Sequence, residues 1–228
     1  MNMNQLKKSA AVQAAKFVED GMMLGLGTGS TVYYLVEAVA KRVQEEKLHI
    51  VAVSTSSRTA KQASELGIKV IDLNDAPTLD LTIDGADEID ENFQGIKGGG
   101  AAHLLEKIVA TNSKRNIWIV DQSKLVKKLG SFPLPLEVIP FGCEKLFQRL
   151  TAENLHPEYR LDENGQRLRT HNKNFVIDLH MSAIEHPHIL ADWLDHQTGI
   201  VEHGLFLDIV NQVVVGKENG VEIINAPR

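Results

Sequence analysis

Short apolar runs and amphipathic helical segments alternate through the first half of the chain, and this alternation constrains the fold more than any other feature. Strands joined by helices of this length lie parallel in one sheet, with the helices packed against its faces. The predicted strands are 22–26, 49–53, 68–71, 81–83 and 117–120, and the predicted helices are 6–18, 32–43, 58–66 and 101–111. The predicted fold is therefore α/β, a Rossmann-like parallel sheet with helices on both faces.

The pattern changes after Gly130. Prolines mark a junction at 132–136, the run Asp162-Glu-Asn-Gly165 indicates a hairpin turn, and 175–179 has the composition of a strand. Helical spacing returns at 189–194. This mixture of helices and antiparallel strands predicts a small α+β subdomain, which we expect to be ferredoxin-like.

Two apolar runs near the end of the chain, 212–215 and 221–224, predict a final hairpin. We therefore expect an α/β domain over residues 1–130 that is completed by C-terminal strands within 208–228. The small subdomain is expected to cover 131–207. Because ligands of open α/β sheets bind at the carboxyl ends of the strands, the unusual turns that follow these strands are expected to converge on one crevice.

The first such turn is Gly25-Leu-Gly-Thr-Gly-Ser-Thr31, between a strand and a helix. Its glycines allow close backbone approach, and N–H groups at a helix start attract an anion such as phosphate. A dinucleotide fingerprint would need glycine or alanine at position 30 and an acid ending the second strand, where the chain has Ser30 and Ser54. A Walker A lysine is also absent from this turn. The alternative is a tight turn with a hydroxyl helix cap.

The second turn, Asp84-Gly-Ala-Asp-Glu-Ile-Asp90, places four acids directly after an apolar strand. Such a cluster can bind Mg²⁺, or it can supply acid–base and hydroxyl-binding groups. The alternative is a solvated acidic loop, which suits Glu88 and Asp90. Asp84 and Asp87, nearest the strand end, are the better functional candidates.

The third segment has a lysine and three glycines, Lys97 to Gly100, before a predicted helix. At ~100° per residue, Glu106 lies at the margin of the apolar helix face, where partial burial would raise its pKa toward the range of a general base. The alternative is a surface glutamate paired within its helix. His103 and Lys107 lie on the opposite arc and are expected to be solvated.

Composition excludes several classes of function. Lys+Arg 24 against Asp+Glu 30 gives a formal net charge of −6, and only 5% of residues are aromatic, which argues against a nucleic-acid surface. No apolar stretch approaches the ~18–20 residues of a membrane span, and residues 1–8 lead into no signal core, so we expect a cytoplasmic protein without membrane contact. The single cysteine, Cys143, has no internal disulfide partner.

Histidines cluster in the second half of the chain, at positions 180, 186, 188, 196 and 203. None forms the i, i+4 helical pair with a partner carboxylate that is typical of a metal site. No metal ion is therefore expected.

Together the three segments 25–31, 84–90 and 97–107 resemble type A ribose-5-phosphate isomerases. The similarity runs nearly end to end and includes further blocks in family order at 51–56, 121–124 and 132–140. It implies an aldose–ketose isomerase of the non-oxidative pentose phosphate pathway that interconverts D-ribose 5-phosphate and D-ribulose 5-phosphate through an enediolate. It also implies no metal or organic cofactor, and a homodimer or a dimer of dimers.

The resemblance also implies residue roles. Glu106 would be the base that moves a proton between C1 and C2, Lys97 would stabilise the oxyanion, and Asp84 and Asp87 would hold sugar hydroxyls and assist ring opening. The residues implied to bind substrate are Thr28, Gly29, Ser30, Thr31, Gly85, Ala86, Gly98, Gly99, Gly100, Lys124 and Lys7. The chain departs from the family pattern at Leu105, where an arginine often precedes the Glu-Lys pair, and at His103.

Two other functions share this architecture. A sugar-phosphate sensor of a transcriptional regulator would need a helix-turn-helix, and residues 1–20 have room for one helix. A coenzyme A transferase would use a glutamate as a covalent nucleophile, but no segment indicates a site for the coenzyme's nucleotide.

Overall fold

The computed structural model describes residues 2–227, which form two compact units. The larger unit comprises the residues up to Ala86, Leu105–Lys124 and the residues from Ile209 onward. The smaller unit comprises Asp87–Leu104 and Leu125–Asp208. No helix within 2–227 has the length and apolar character needed to cross a bilayer.

The helices and strands are numbered in chain order. The helices are α1 Met3–Ala15, α2 Ser30–Glu46, α3 Ser57–Glu65, α4 His103–Thr111, α5 Cys143–Ala152 and α6 Pro187–Asp195. The strands are β1 Met23–Leu26, β2 Val51–Ser54, β3 Lys69–Val70, β4 Leu81–Asp84, β5 Glu88–Ile89, β6 Gly95–Ile96, β7 Asn116–Asp121, β8 Leu134–Val138, β9 Pro157–Tyr159, β10 Phe175–Leu179, β11 Ile200–His203, β12 Leu205–Phe206, β13 Gln212–Lys217 and β14 Gly220–Asn225.

A seven-stranded sheet forms the larger unit, in the order β14-β13-β7-β4-β1-β2-β3. All its pairs are parallel except the final β13–β14 hairpin, which was predicted from the C-terminal pattern. Strands β1 and β4 pair from Leu24↔Leu81 to Leu26↔Ile83, so their carboxyl ends lie side by side.

Helices cover both faces of this sheet, as predicted. Side chains alternate between faces along a strand, and in β2 Ala52 joins the apolar cluster that contains α1 and α2. The next residue, Val53, instead packs with Leu79 and with Val109 of α4. Gly25 lets α4 approach the sheet closely, because a Cβ there would lie 2.9 Å from a Val109 methyl.

Local contacts explain where helices α1 and α4 begin, which differs from the predicted starts. Helix α1 begins at Met3, because Asn2 and Gln5 form a capping box in which each side chain accepts the other's backbone N–H. Helix α4 begins at His103, two residues later than predicted, because Ala101 has a φ of +56° that is incompatible with a right-handed helix.

In the smaller unit, β8, α5, β9, β10, α6 and β11 follow one another as β-α-β-β-α-β. Their antiparallel sheet has the order β11-β8-β10-β9, which is the ferredoxin-like arrangement that was predicted. Strand β8 was interpreted as a proline-marked junction, and that interpretation is wrong. Pro135 lies near the start of β8 and accepts a hydrogen bond from Gly204 N at 2.8 Å.

The bounds of the two units differ from the predicted domains, because Asp87–Leu104 and Leu125–Gly130 belong to the smaller unit. Glu88 illustrates why. We expected it to be a solvated acid, but it is 4% exposed. Its carboxylate accepts the N–H groups of Gly130 and Phe132, each at 2.7 Å, so it binds the 87–104 segment to the chain that leads into β8.

Candidate active site

Three loops of the larger unit leave the same edge of its sheet, because β7, β4 and β1 are parallel neighbours. They are the turn 27–31 after β1, the residues after Asp84 at the end of β4, and the turn Gln122–Lys124 after β7. The carboxyl edge of an open α/β sheet is where ligands bind. We describe each candidate residue within its own unit.

The Asp84 carboxylate is buried, with 3% exposure, and the turn after β1 is shaped around it. Asp84 Oδ1 accepts hydrogen bonds from Thr28 N at 2.9 Å and from Gly85 N at 2.7 Å. A Cβ on Gly27 would lie 1.8 Å from that oxygen, so only glycine fits beside it. These contacts give the carboxylate one position at the strand end.

The start of α2 offers a site for an anion. Gly29 takes the N-cap position with a φ of +116°, and in the described chain no side chain caps this helix. The first N–H groups of α2 therefore lie beside exposed Gly29 and Ser30. Lys7, from α1, donates to Ser30 Oγ at 3.1 Å and adds a positive charge, while Thr28 Oγ1 lies 2.7 Å from Thr55 Oγ1. Backbone N–H groups, hydroxyls and an ammonium group are suitable phosphate ligands.

Glu106 lies in the first turn of α4 and is 5% exposed, so its side chain is buried and does not lie at the margin between the apolar face and solvent.

In the turn 122–124, half-buried Lys124 follows Asp121, whose carboxylate accepts the Ser123 N–H at 3.0 Å. Thr31 is also buried, at 9% exposure.

The predicted solvation of His103 is wrong. Its side chain is fully buried in the smaller unit, and Nε2 lies 3.3 Å from the carbonyl oxygen of Glu202. A Cβ on Gly98 would lie 2.7 Å from His103 Nδ1, so this imidazole packs directly beneath the glycine segment.

Lys97 is a buried lysine, with 3% exposure. Its backbone N–H donates to Gly204 O at 2.9 Å, and its Nζ lies 5.3 Å from the centre of the Phe206 ring, within cation–π distance. Gly98 follows with a φ of +110°, and a Cβ there would also lie 2.7 Å from Pro135 Cγ. The backbone on both sides of Lys97 is thus closely constrained.

Asp87 contacts the same glycine segment. Its Oδ2 accepts the Gly99 N–H at 2.8 Å, and the Phe132 ring also lies beside this glycine, 3.1 Å from where a Gly99 Cβ would be. Gly99 and Gly100 are exposed.

Arg160 was not among the residues predicted from the sequence. Its Nη1 donates to Gly98 O at 2.7 Å and to Gly99 O at 3.1 Å, while Nε and Nη2 donate to the two carboxylate oxygens of Asp178. Arg160 lies about sixty positions after the glycines, and no local motif marks it.

Within 2–227, one group of side chains has the spacing of a metal site, namely Asp195, Glu202 and His203. His203 Nδ1 accepts the Leu205 N–H at 3.2 Å, so in the neutral ring Nε2 carries the proton, and Nε2 faces Asp195 Oδ1 at 3.2 Å. This arrangement is a hydrogen-bonded pair, not a ligand set with a free ring nitrogen.

The candidate residues thus form two sets, one in each unit. The larger unit holds Lys7, Thr28, Gly29, Ser30, Thr31, Asp84, Gly85, Ala86, Glu106 and Lys124, and the smaller unit holds Asp87, Lys97, Gly98, Gly99 and Gly100. Direct contacts join Lys7 to Ser30 and Thr28 to Asp84 in the first set, and Asp87 to Gly99 in the second.

Comparison with known proteins places the chain in a family. The profile of Ribose 5-phosphate isomerase A (phosphoriboisomerase A) matches residues 51–220. The chain is 63% identical over 228 residues to Ribose-5-phosphate isomerase A of Lacticaseibacillus paracasei, covering 100% of both chains. It is 57% identical over 226 residues to the Levilactobacillus brevis protein of that name, covering 99% of each.

Solved structures agree. A D-ribose-5-phosphate isomerase in complex with phospho-erythronic acid has a TM-score of 0.96 at 37% identity, over 99% of this chain and 100% of that one. Ribose 5-phosphate isomerase A of Methanocaldococcus jannaschii has a TM-score of 0.92 at 36% identity, over 97% and 98%. The chain therefore belongs to the ribose-5-phosphate isomerase A family.

Proposed function

We propose that the protein interconverts D-ribose 5-phosphate and D-ribulose 5-phosphate by proton transfer through an enediolate, as an aldose–ketose isomerase of the pentose phosphate pathway. The observation that carries the mechanism is the burial of Glu106 in the first turn of α4. A buried carboxylate at the start of a helix is positioned by the helix and shielded from water, which suits a general base.

In this mechanism the Glu106 carboxylate removes the proton from C2 of the open-chain aldose and returns it to C1. The hydroxyl proton of O2 passes to O1 at the enediolate stage, so that C1 gains a hydroxyl group and C2 becomes the ketone. The Lys97 ammonium group stabilises the negative charge that develops on the substrate oxygen. This interaction is strongest near the transition state, so it accelerates the chemical step rather than merely binding the sugar.

Asp84 and Asp87 bind sugar hydroxyls and assist opening of the ring. Support comes from the hydrogen bonds that position each carboxylate, from Thr28 N to Asp84 and from Gly99 N to Asp87. A carboxylate already held by backbone N–H groups can accept a substrate hydroxyl without reorganising.

The substrate phosphate binds at the start of α2, with Lys7, Thr28–Thr31 and Lys124 around it. The Lys7–Ser30 contact supports this position, because it places an ammonium group beside the first N–H groups of the helix. A solved relative with phospho-erythronic acid bound carries a ligand of the same chemical class, a phosphorylated sugar derivative.

We further propose a cytoplasmic homodimer or dimer of dimers. Phe141 is 96% exposed and Ile189 is 68% exposed, and large apolar side chains of this kind are commonly covered by a second copy. Light scattering on the purified protein tests this; a mass of 25.2 kDa would identify a monomer and contradict it.

Incubation of the purified protein with ribose 5-phosphate, followed by detection of ketose, tests the activity. Conversion in both directions to the same equilibrium ratio is expected. A sensor domain would bind the sugar phosphate without converting it, and a coenzyme A transferase would require an acyl-coenzyme A.

A further inference from the structure

We propose that Arg160 is a positioning residue for the isomerase reaction, holding the backbone of Gly98 and Gly99 so that Lys97 and Asp87 face the substrate in their working orientation. The proposal rests on the roles proposed above for Lys97 and Asp87. The observation behind it is that one guanidinium group binds two successive glycine carbonyls and the half-buried carboxylate of Asp178.

Arg160 is itself anchored. It follows β9, where its N–H donates to Val176 O at 2.9 Å and its carbonyl accepts the Leu168 N–H at 2.8 Å. Its guanidinium forms a bidentate ion pair with Asp178 of β10, with N–O distances of 2.8 and 2.5 Å. The side chains are 16% and 14% exposed. Bidentate pairing sets the plane of the guanidinium, which a single contact would not.

The remaining Nη1 donors point at the glycine segment. Nη1 lies 2.7 Å from Gly98 O and 3.1 Å from Gly99 O. Gly98 O also accepts the Ala101 N–H at 3.0 Å. Glycine backbones have more conformational freedom than others, so a run of three needs external contacts to hold one shape.

The peptide unit between Gly98 and Gly99 shows how these contacts link Arg160 to Asp87. The carbonyl of Gly98 and the N–H of Gly99 belong to the same planar peptide unit. Arg160 binds its carbonyl end, and Asp87 Oδ2 accepts from its N–H end at 2.8 Å. The orientation of the Asp87 carboxylate is therefore coupled to Arg160 through the Gly98–Gly99 peptide, which lies one residue after Lys97.

The chemistry of the side chain explains why arginine is needed. Arginine has five N–H donors in a rigid fork, enough to bind the carboxylate and both carbonyls at once. Lysine keeps the positive charge but has one nitrogen, which reaches either Asp178 or the carbonyls. Arg160→Lys therefore keeps the positive charge of the side chain but removes the fixed geometry of its N–H donors.

The test uses Arg160→Lys and Arg160→Ala, with Arg167→Lys as the matched control. Arg167 lies in the same unit and pairs with Glu144 at 2.6 Å rather than with the glycines. We expect kcat to fall about 10- to 100-fold in both Arg160 variants, with KM changing less than about threefold, because misplaced catalytic groups affect the transition state most. The control keeps the wild-type kcat.

Chemical rescue distinguishes positioning from folding. Guanidinium chloride at non-denaturing concentration should restore the kcat of Arg160→Ala saturably and about tenfold, whereas sodium chloride should not. Neither salt should restore Lys97→Met. A loss of kcat that guanidinium leaves unchanged, or that equals the loss of folded protein by circular dichroism, would overturn the proposal.

A third measurement does not depend on catalysis. Amide hydrogen exchange of segment 95–101 should accelerate at least about tenfold in Arg160→Lys and stay unchanged in Arg167→Lys. If the wild-type protein fails to isomerise ribose 5-phosphate, the proposed function fails, while this exchange still decides whether Arg160 orders the segment. If the wild type is active and folded Arg160 variants match it in kcat and exchange, the positioning role is wrong.

Discussion

Gly27 lies so close to Asp84 that a Cβ added to the glycine would be 1.8 Å from the carboxylate oxygen. The same oxygen accepts the N–H of Thr28, the residue after this glycine. The turn after β1 and the acid at the end of β4 are therefore one structural arrangement. Any substitution that adds a Cβ to Gly27 must therefore displace the Asp84 carboxylate.

Gly27→Ala should thus lower kcat/KM at least about tenfold, because the displaced Asp84 can no longer hold its sugar hydroxyl. A coupled enzyme assay would measure the isomerisation rate of the variant, and thermal melting would measure its stability. Gly85→Ala is the stability control, since its Cβ would meet only Thr28 O at an ordinary 3.7 Å. Wild-type activity in Gly27→Ala would remove Asp84 from the mechanism.

Glu106→Gln preserves shape but cannot accept a proton. We expect kcat to fall by at least the ~10²–10⁴-fold typical of general-base loss, with little change in folding. In deuterated solvent the wild type should incorporate deuterium at C2 of the aldose or C1 of the ketose, and the variant should not. Retention of most of the kcat would transfer the base role to Asp84 or Asp87.

Lys7→Ala and Lys124→Ala should mainly raise the KM for ribose 5-phosphate, since a phosphate contact is shared by ground state and transition state. Lys8→Ala, an exposed neighbour on α1, should leave KM unchanged. Free ribose should be a very poor substrate of the wild type. A fall in kcat at constant KM would instead place the altered lysine at the reacting carbons.

Isomerisation should survive thorough treatment with EDTA, because the mechanism assigns charge stabilisation to Lys97 and proton transfer to Glu106. Activity would be followed before and after chelation, and after adding Mg²⁺ or Zn²⁺. Loss on chelation with recovery on adding metal would make Asp84 and Asp87 metal ligands.

Asp80 stabilises the larger unit in a pH-dependent way. Hydrogen bonds from Lys114 Nζ at 2.8 Å and from Met23 N at 2.9 Å hold its pKa below the ordinary 3.8. A carboxyl group with a lowered pKa stabilises the fold above its unfolded-state value, and this contribution disappears as the pH falls through the lowered pKa.

Asp80→Asn should therefore lower the stability at pH 7 by roughly 1 kcal/mol. The difference from wild type should shrink below about pH 4. Thermal melts across pH 2.5–7 would show this, with exposed Asp75→Asn as control. A difference that does not depend on pH would mean that the ion pair contributes nothing.

Much of the fold follows from local patterns. The α/β alternation predicted the parallel sheet, the C-terminal pattern predicted the β13–β14 hairpin, and Phe175–Leu179 was predicted to the residue. These elements depend on periodicity and on nearby glycines, which a sequence displays directly. Strand β8 was missed because Pro135 within it, and Pro133 just before it, normally argue against a strand in the interior of a sheet.

Contacts distant in sequence could not be predicted. Glu88 is buried by N–H groups 42 and 44 residues later, and Arg160 reaches glycines 62 and 61 residues earlier. We expected the His103 side chain to be solvated because a helical wheel considers only the residues of the same helix. The glycines beside it leave the space that its ring fills.

The position of β13 has a consequence for how the protein is made. It pairs with β7 over Gln212↔Ile117 to Gly216↔Asp121, so about 95 residues of chain separate the partners. During synthesis β7 remains an edge strand, with unpaired backbone groups, until residues 212–216 have left the ribosome. Gly216 then packs against Leu6, where a Cβ would lie 2.1 Å from the leucine carbonyl oxygen. Strand β13 thus closes the sheet against α1, and a nascent chain that stops before residue 212 carries an open, aggregation-prone edge.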